Sequence, residues 1–322
     1  MKILVTGGAG FIGSNFVRMF DAGLFPRIQE LLIIDSLTYA GNLENISNCL
    51  PNDKVSFFKG DIRNFEVVEP LVQQVDAVIN FAAESHVDNS IEQPKLFVET
   101  NLVGFQVLLD AARKYPSIRF IQISTDEVYG TLEFGSWDEN SPLAPRSPYS
   151  ASKAAADLLG ISYHKTFGTD FVITRASNNY GPYQFPEKLI PRFVTNLLEG
   201  QSVPVYGDGL NVRDWLHVDD HCMGIYLALT KGISGEVYNL GGAHPLSNLE
   251  LTQLMIKKMG LSLTRIEFVE DRPGHDFRYA INCEKAISEL GYRPQVEFES
   301  GIDSVIEWYS RNSGWWKALK SK

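Results

Sequence analysis

Residues 2–20, KILVTGGAGFIGSNFVRMF, decide the fold of this chain. The apolar run Ile3-Leu4-Val5 is typical of a short buried strand, and the stretch from Ser14 to Phe20 is typical of a helix. Between them stands a turn with a glycine at every third position: Gly7, Gly10 and Gly13. Small residues in such a turn let the backbone approach a pyrophosphate, whose charge is favoured at a helix N-terminus. Because the pattern alone also suits an ordinary tight turn, the rest of the sequence must decide between the two.

The same alternation of short apolar runs with longer amphipathic segments continues to about residue 175. Alternating strand and helix signals indicate a parallel sheet with helices on both faces. We therefore predict an α/β fold: a doubly wound parallel Rossmann sheet with a smaller, loop-rich α/β substrate lobe. The further strand candidates are Leu31–Ile34, Val55–Phe58, Ala77–Asn80, Phe120–Ile123 and Phe171–Thr174.

A change of composition after residue 177 indicates a second domain. Residues 180–186, YGPYQFP, are rich in proline, glycine and aromatic residues, which is typical of loops. Residues 215–230 look like a helix and residues 237–242 like another sheet strand, so we expect the chain to return to the first domain. We predict a dinucleotide-binding domain over 1–177, rejoined by about 213–243, and a substrate-binding domain over 178–212 and 244–322.

Composition argues against several classes of partner. Of the 322 residues 44% are hydrophobic, enough for a real core, and the formal net charge is −10. That charge argues against nucleic acid or an anionic membrane surface as a partner. The three cysteines are widely separated and form no CxxC, which suits a reducing compartment. Since there is neither a leader pattern nor a run of about 18 apolar residues, we expect a cytoplasmic protein.

An acidic residue after the second strand candidate points to the cofactor. Asp35 stands 22 residues after Gly13 (35 − 13), where a carboxylate would accept hydrogen bonds from a ribose diol. No arginine or lysine occurs in Ser36-Leu37-Thr38 to receive an extra phosphate, so NAD is favoured over NADP. Five further residues would flank the adenine and the dinucleotide by their order after the next strands: Asp61, Ile62, Phe81, Ala82 and Ala83.

Tyr149 and Lys153 form a candidate proton-abstracting pair. They are four residues apart in SPYSASKAAA (147–156), which has proline near a helix start and alanine within, so both side chains share one helix face. A phenol with an ordinary pKa near ~10 is a poor base, but an adjacent ammonium and a cationic nicotinamide both favour the phenolate. We expect Tyr149 to remove a hydroxyl proton, with Lys153 on the nicotinamide ribose and Thr125 on the substrate hydroxyl.

Two adjacent carboxylates, Asp126 and Glu127, follow the strand candidate Phe120–Ile123 in STDEVYG (124–130). Ligands of open α/β sheets bind outside the carboxyl ends of the strands. Elimination of water next to a carbonyl needs one general acid and one general base, and a carboxyl pair supplies both if its surroundings push the two pKa values apart. A solvated turn would explain an isolated acid pair equally well.

The chain resembles the extended short-chain dehydrogenase/reductase family of NAD-dependent sugar epimerases and dehydratases along nearly its whole length. Several matching stretches are typical of the family's 4,6-dehydratases of dTDP-glucose. The stretches are TGGAGFIGSN, DSLTYAGNLEN, GDIR, NFAAESHVD, STDEVYG, SPYSASKAAADL, SNNYGPYQFPEKLIP, PVYGDGLNVRDWLHVDDHC and EDRPGHDFRYAIN.

The resemblance implies a lyase that converts dTDP-glucose to dTDP-4-keto-6-deoxyglucose with tightly bound NAD, a step in deoxysugar biosynthesis. Hydride would leave carbon 4 for NAD+ while Tyr149 takes the hydroxyl proton. Glu127 would then remove the proton at carbon 5 as Asp126 protonates the hydroxyl leaving carbon 6, and hydride would return to carbon 6. The residues alone leave open which acid donates the proton.

The resemblance also assigns binding residues. Arg213 and Arg272 would hold the diphosphate, since guanidinium groups recognise phosphate through two parallel hydrogen bonds. The other substrate contacts would be Ser85, Thr125, Asn178, Lys188, Leu189, Pro204, Tyr206, Asn248 and His275. The cofactor set would include Ser36, Leu37 and Thr38 beside Asp35, and would gain Phe11, Ile12, Thr100 and Asn179.

The sequence also bears on association and on metal binding. Apolar residues on more than one face of the helix-like segment 96–112 indicate burial on two sides, and relatives pair through this helix and the Tyr149 helix, so we predict a homodimer. His217 and His221 stand beside Asp219 and Asp220, but a helix start explains them better than a metal site, and no metal is predicted.

Three rival functions remain at this point. A UDP-hexose 4-epimerase shares the glycine turn and the Tyr149/Lys153 pair but needs no acid pair. A UDP-glucose 4,6-dehydratase would differ only in its base, since uracil and thymine differ by one methyl group, a difference worth about 1–3 kcal/mol in a pocket. A nucleotide sensor without turnover would not need the five catalytic candidates.

Overall fold

The computed structural model describes residues 1–271 and 273–320. Its strands, in chain order, are β1 Lys2–Thr6, β2 Glu30–Asp35, β3 Val55–Lys59, β4 Ala77–Asn80, β5 Arg119–Thr125, β6 Asp170–Ala176, β7 Asn178–Tyr180, β8 Val203–Tyr206, β9 Val212–His217, β10 Val237–Leu240, β11 Pro245–Ser247 and β12 Ile266–Val269. Its α-helices are α1 Phe11–Asp21, α2 Phe65–Val72, α3 Val87–Glu92, α4 Pro94–Val98, α5 Phe105–Arg113, α6 Pro148–Phe167, α7 Leu189–Leu198, α8 Val218–Lys231, α9 Asn248–Lys258, α10 Phe298–Arg311 and α11 Ser313–Lys320.

A seven-stranded parallel sheet forms the centre, in the order β10-β6-β5-β4-β1-β2-β3. The chain winds outward from β1 to β3, then starts again at β4 on the other side of β1 and winds outward to β10. The predicted doubly wound Rossmann-type fold is confirmed. In such a sheet the crevice outside the carboxyl ends of β1 and β4 is the expected ligand site.

The strands alternate their side chains between two apolar layers. Ile3 and Val5 pack with Phe16 and Val17 of α1 on one face, whereas Leu4 packs on the other face with residues of α2 and α5. Helix α8 covers the first face together with α1. Because both faces are covered, the strands are apolar throughout, as their sequences indicate.

The second lobe has its own core. Helices α7, α9, α10 and α11 enclose a cluster that includes Phe193, Leu251, Ile302, Tyr309 and Trp316. Two small sheets, β11-β9-β7 and β12-β8, contribute Tyr180, Val203, Val205 and Trp215 to the same cluster. The lobe therefore contains more regular structure than the loop-rich sequence suggested.

The helix predicted over 215–230 begins later than expected. Trp215 to His217 belong to β9, which pairs with β7 and β11, and α8 begins at Val218. His217 is extended, and its Nδ1 accepts a hydrogen bond from the Asp219 N–H at 3.3 Å, so it caps the helix. Tertiary strand pairing thus overrides the local helical pattern.

The segment predicted as one helix over 96–112 also differs. It consists of α4, a wider π-helical turn over Glu99–Gly104, and α5. At Gly104 an added Cβ would stand 2.8 Å from the Ile62 side chain, so the wide turn brings this backbone close to the cofactor side of the sheet. Within the described ranges, every helix is too short or too polar to cross a membrane.

Candidate active site

A cleft opens above the glycine turn at the carboxyl ends of β1, β2 and β4. Gly7 has φ +67°, and a Cβ added at Gly13 would stand 2.3 Å from the Gly7 carbonyl oxygen. Both positions therefore require glycine. The lining of this first half of the cleft includes Gly7, Gly10, Asp35, Ser36, Thr38, Asp61, Ile62, Phe81, Ala82, Ala83 and Thr100.

Asp35 lines this first half of the cleft at the end of β2. Its two carboxylate oxygens accept hydrogen bonds from the backbone N–H groups of Leu37 at 2.8 Å and Ala9 at 2.9 Å. Burial raises the pKa of Asp35, and these two bonds oppose the rise. A carboxylate at this place suits a free ribose diol and repels a 2′-phosphate. The nearby cation Arg63 is engaged by Asp61, with the guanidinium 2.7 Å from its carboxylate.

A second half continues the cleft toward β5 and α6. It shares Gly7, Gly10, Phe81 and Ala83 with the first half, so the two form one elongated groove. Its further lining includes Phe11, Ile12, Gly13, Ser85, Ser124, Tyr149, Lys153, Gln184 and Phe185. Asp35 at one end, the glycine turn in the middle and a Tyr/Lys pair at the other end fit the chemistry of a dinucleotide.

Two predicted cofactor residues are not among the groups that line this groove. Leu37 contributes its backbone N–H to Asp35. The Asn179 side chain donates to the Ser177 carbonyl at 2.9 Å, and its Oδ1 lies 2.8 Å from Nδ1 of His221. Asn179 therefore secures the turn after β6 in this structure.

Helix α6 presents Tyr149 and Lys153 on one face. The helix begins with a capping box between Ser147 and Ser150 and with Pro148 in its first turn. Lys153 Nζ donates to the Ile123 carbonyl at 2.6 Å. Burial lowers the pKa of Lys153 to about 8, and the charge of Asp157 opposes this.

The pKa of Tyr149 differs from the expectation that the neighbouring ammonium would lower it. Burial and the negative charge of Glu127 raise this pKa, while a hydrogen bond with Thr125 opposes the rise. The charges that act most strongly on the phenol are carboxylates, and the ammonium of Lys153 is bonded to the Ile123 carbonyl. The charges of the chain itself therefore favour the protonated phenol of Tyr149. Its ability to accept a proton depends on positive charge that bound ligands add.

The acid pair lies where β5 ends. Thr125 caps the short 3-10 helix Asp126–Tyr129, with its Oγ1 accepting from the Glu127 N–H at 3.3 Å and donating to Asp126 Oδ1 at 3.3 Å. Asp126 is 2% exposed, and its Oδ2 has no hydrogen-bond partner among the described residues. Burial first, and then the charge of Glu127, raise the pKa of Asp126 well above its ordinary value.

Glu127 is only half-buried and lines a second cleft, which meets the groove at Ser85, Glu187 and Lys188. One carboxyl of the pair is thus buried and has a raised pKa, while its neighbour faces the cleft. Two carboxyls with separated pKa values are what acid and base roles require. The buried Asp126 suits the acid and Glu127 suits the base.

This second cleft is lined by most of the predicted substrate contacts. Its lining includes Ser85, Asn178, Lys188, Leu189, Pro204, Tyr206, Arg213, Asn248 and His275. Two buried acceptors, Asn178 Oδ1 and Asn248 Oδ1, have no partner among the described residues and suit a ligand with N–H or O–H groups. Arg272 lies outside the described residues. Thr125 stands behind this cleft at the strand end rather than in its lining.

Arg213 is fixed as a cation in this cleft. Its guanidinium donates to the backbone carbonyls of Val212 and Asp276 at 2.7 and 2.8 Å, and lies 4.3 Å from the ring centre of Tyr279. Tyr279 also lines the cleft; it lies in the stretch EDRPGHDFRYAIN, but it was not among the predicted contacts. A guanidinium held in this way is preorganised for a phosphate.

A buried network beneath the catalytic candidates was not predicted from the sequence. Asp157 is fully buried and its Oδ2 accepts from Ser124 Oγ at 3.0 Å and from Arg175 Nε at 2.9 Å. Arg175 in turn donates to the Tyr129 hydroxyl at 2.9 Å. The spacing of Asp157, four residues after Lys153, was the available signal. The network ties α6, β5 and β6 together below the site.

Among the residues that the structure describes, no group of three or more His, Cys, Asp or Glu side chains is arranged to hold a metal ion. His221 is fully buried, and burial lowers its pKa to about 3. A neutral, hydrogen-bonded imidazole of this kind is structural.

A dinucleotide groove that ends beside a Tyr/Lys helix, next to a second cleft with a fixed arginine, defines a short-chain dehydrogenase/reductase of the nucleotide-sugar type. The chain matches the sequence model of the family described as GDP-mannose 4,6 dehydratase over residues 4–305, and it belongs to that family. The resemblance inferred from the motifs is confirmed.

Individual relatives are similar over nearly the whole chain. A dTDP-glucose 4,6-dehydratase of Actinoplanes sp. is 53% identical over 319 residues, covering 98% of this chain and 100% of the relative. The solved structure of DesIV, a dTDP-glucose 4,6-dehydratase from Streptomyces venezuelae with NAD bound, has a TM-score of 0.98 at 51% identity and covers 99% of this chain and 100% of its own. A UDP-glucuronic acid 4-epimerase from Bacillus cereus is 31% identical with a TM-score of 0.90, covering 97% of this chain and 99% of its own.

Proposed function

We propose that this chain is an NAD-dependent hydro-lyase that dehydrates dTDP-glucose to dTDP-4-keto-6-deoxyglucose, a step in deoxysugar biosynthesis. The observation that carries the proposal is the acid pair: Asp126 is buried and its pKa is raised, and Glu127 lines the substrate cleft beside it. The 53% identity to a dTDP-glucose 4,6-dehydratase over 98% of the chain supports it independently.

The groove fits NAD. Its glycine turn has no room for a Cβ at Gly13, and Asp35 stands at the ribose end. Solved relatives with this fold bind NAD. When bound, NAD accepts a hydride from carbon 4 of the sugar and returns it to carbon 6, so that no other oxidant is consumed.

The chain's own residues move the protons. Tyr149 takes the proton of the hydroxyl at carbon 4, and we extend to Thr125, by the resemblance alone, the role of holding that hydroxyl. The new ketone acidifies carbon 5, whose proton Glu127 removes. Asp126 gives its proton to the hydroxyl at carbon 6, which leaves as water. Glu127 returns a proton to carbon 5 at the end. The proton that Tyr149 gained equals the one that Asp126 lost, so its transfer to Asp126 through solvent restores the site, and the net change is the loss of one water.

The diphosphate and nucleoside are held in the second lobe. Arg213 binds the diphosphate, and we extend this role to Arg272 by the resemblance alone. Asn178 binds the sugar end, while Pro204, Tyr206 and Asn248 border the base. These roles are supported by the placement of the described residues in one cleft.

A direct test compares dTDP-glucose with UDP-glucose as substrates of the purified protein. We expect a 4-keto-6-deoxy product, detected by its absorbance in alkali, and faster turnover of the thymidine nucleotide. An epimerase would give the galactose epimer and no keto sugar, and a sensor would give no product. Either of these results would contradict the proposal.

We further propose a homodimer built on α4, α5 and α6. Three apolar side chains are strongly exposed on this surface of the isolated chain: Val98 of α4 by 46%, Val103 of the π-helical turn between α4 and α5 by 45%, and Leu158 of α6 by 58%. Burial of such a surface against a second copy would stabilise the assembly. A cytoplasmic location stays a prediction, supported by the free thiols of all three cysteines.

The domain division is likewise a proposal. We assign residues 1–177 and 218–243 to the cofactor domain and the rest to the substrate domain. The predicted boundary at 213 moves to 218, because β9 pairs in the small sheet with β7 and β11.

A further inference from the structure

Gln184 is a buried polar residue that none of the functional assignments above uses. It is 8% exposed and lies in the loop between β7 and α7. Its Nε2 donates to the Asn179 carbonyl at 3.0 Å. Since a carbonyl only accepts hydrogen bonds, the amide nitrogen must face it, and Oε1 must face the other way. Among the described residues, Oε1 has no hydrogen-bond partner although it is buried.

The loop that carries Gln184 is held from both sides. The Tyr309 hydroxyl of the second lobe donates to the Gln184 carbonyl. On the other side, the Arg18 guanidinium lies 4.1 Å from the ring centre of Tyr183, and Lys188 Nζ donates to the Ser85 carbonyl at 2.7 Å. Because its backbone is fixed at both ends, the amide of Gln184 is preorganised.

Gln184 lines the groove on the side of Tyr149 and Lys153 and does not line the substrate cleft. A buried acceptor without a partner is unfavourable unless a ligand supplies a donor. Near the Tyr/Lys pair, a dinucleotide offers the hydroxyls of its ribose and the two N–H groups of its carboxamide. Lys153 is a hydrogen-bond donor and therefore suits the ribose hydroxyl oxygens. The N–H groups of the carboxamide need an acceptor, and Gln184 Oε1 is one.

We propose that Gln184 binds the nicotinamide carboxamide of the cofactor, with Oε1 accepting one of its N–H groups. The proposal rests on the proposed function, in which the cofactor is NAD. The loop between β7 and α7 then binds the cofactor through Gln184 and borders both clefts through Glu187 and Lys188.

A dinucleotide that carries an acetyl group in place of the carboxamide, 3-acetylpyridine adenine dinucleotide, lacks these N–H groups and tests the contact. The full chain is incubated with equal excesses of NAD and this analogue until the bound mixture is constant, and the bound ratio is read by mass spectrometry. We expect the wild type to prefer NAD by about tenfold, the worth of one buried hydrogen bond.

Gln184→Met, which keeps the length of the side chain but removes the acceptor, should bring the ratio close to one. The matched control is Gln201→Met at an exposed glutamine, which should keep the tenfold preference. A variant that binds both dinucleotides more weakly yet retains the preference would show a merely structural role and overturn the proposal.

The wild type alone remains informative if Gln184→Met does not fold. Equal binding of the two dinucleotides by the wild type would overturn the carboxamide contact. Binding of neither dinucleotide would instead refute the proposed function, so the two failures are distinguishable.

Discussion

Asp126 and Glu127 are neighbours in the chain but stand in different surroundings. Asp126 is enclosed behind the strand end, while Glu127 borders the substrate cleft. Desolvation penalises the charged form of a carboxyl, and a second negative charge nearby adds to that penalty. The first residue is therefore suited to give a proton and the second to take one.

Replacement of Glu127 by glutamine tests the base directly. Glutamine cannot accept the carbon 5 proton, so we expect dehydration to slow by about 10²–10⁴-fold, the usual worth of a placed general base. The oxidation at carbon 4 does not need Glu127, so reduced cofactor should accumulate and be visible by its absorbance. Normal dehydration by Glu127→Gln would show that another group is the base.

The pKa of Lys153 predicts the pH above which the rate of the first hydride step falls. Its pKa lies at about 8, so the group is charged below this pH and neutral above it. If the first hydride step needs the charge, its single-turnover rate falls as pH rises through about 8. Asp157 raises this pKa, so Asp157→Asn should move the falling limb to lower pH.

The control for this profile is Asp303→Asn, which removes a carboxylate bonded to Lys258 on the surface. Asp303→Asn should leave unchanged the pH at which the rate falls. A wild-type rate that stays constant through pH 8 and well above it would contradict the role given to Lys153.

At the scale of elements, α6 and the end of β5 form the reacting half of the site. The helix start places Tyr149 in its first turn, where the capping box of Ser147 and Ser150 fixes the backbone. Fraying of this turn would displace the phenol. The stability of the helix start and the rate of the reaction are therefore connected.

Ser147→Ala removes the cap and should lower the free energy of unfolding by about 1 kcal/mol, measured by urea denaturation. Catalysis should decline with it, through a smaller kcat. Ser162→Ala, at an exposed serine of the same helix, should change the free energy by less than about 0.5 kcal/mol and leave kcat unchanged. Equal effects of the two substitutions would contradict the capping argument.

Sequence patterns predicted elements whose signals are local. The run Ile3-Leu4-Val5 followed by Gly7 identifies β1 and its turn because apolar clustering and glycine spacing act over a few residues. The spacing of Tyr149 and Lys153 likewise indicated a shared helix face. These features needed no knowledge of distant contacts.

Features that depend on distant partners were not predictable in this way. Trp215 has a helix-like neighbourhood but lies in β9, because β7 and β11 pair with that strand. Asp157 gains its role from Arg175, on the next strand, and Gln184 from the Asn179 carbonyl and the groove. A single sequence does not show which distant residues these side chains will contact.

At the scale of the whole molecule, the exposed apolar surface of α4, α5 and α6 bears on assembly. Leu158→Glu places a charge on the proposed dimer surface, and burial of an unpaired charge is strongly unfavourable. We expect the wild type to sediment as a dimer at micromolar concentration and Leu158→Glu to shift toward the monomer. Leu263→Glu, at a leucine that is 53% exposed on the other lobe, should remain dimeric. A monomeric wild type would refute the assembly.

The central claim is that the acid pair turns a scaffold shared with epimerases into a dehydratase. The most direct measurement follows deuterium placed at carbon 4 of dTDP-glucose through one turnover by this protein. The account predicts a 4-keto-6-deoxy product with the deuterium at carbon 6, located by mass spectrometry and NMR. Deuterium that remains at carbon 4, in glucose and its galactose epimer, would contradict it.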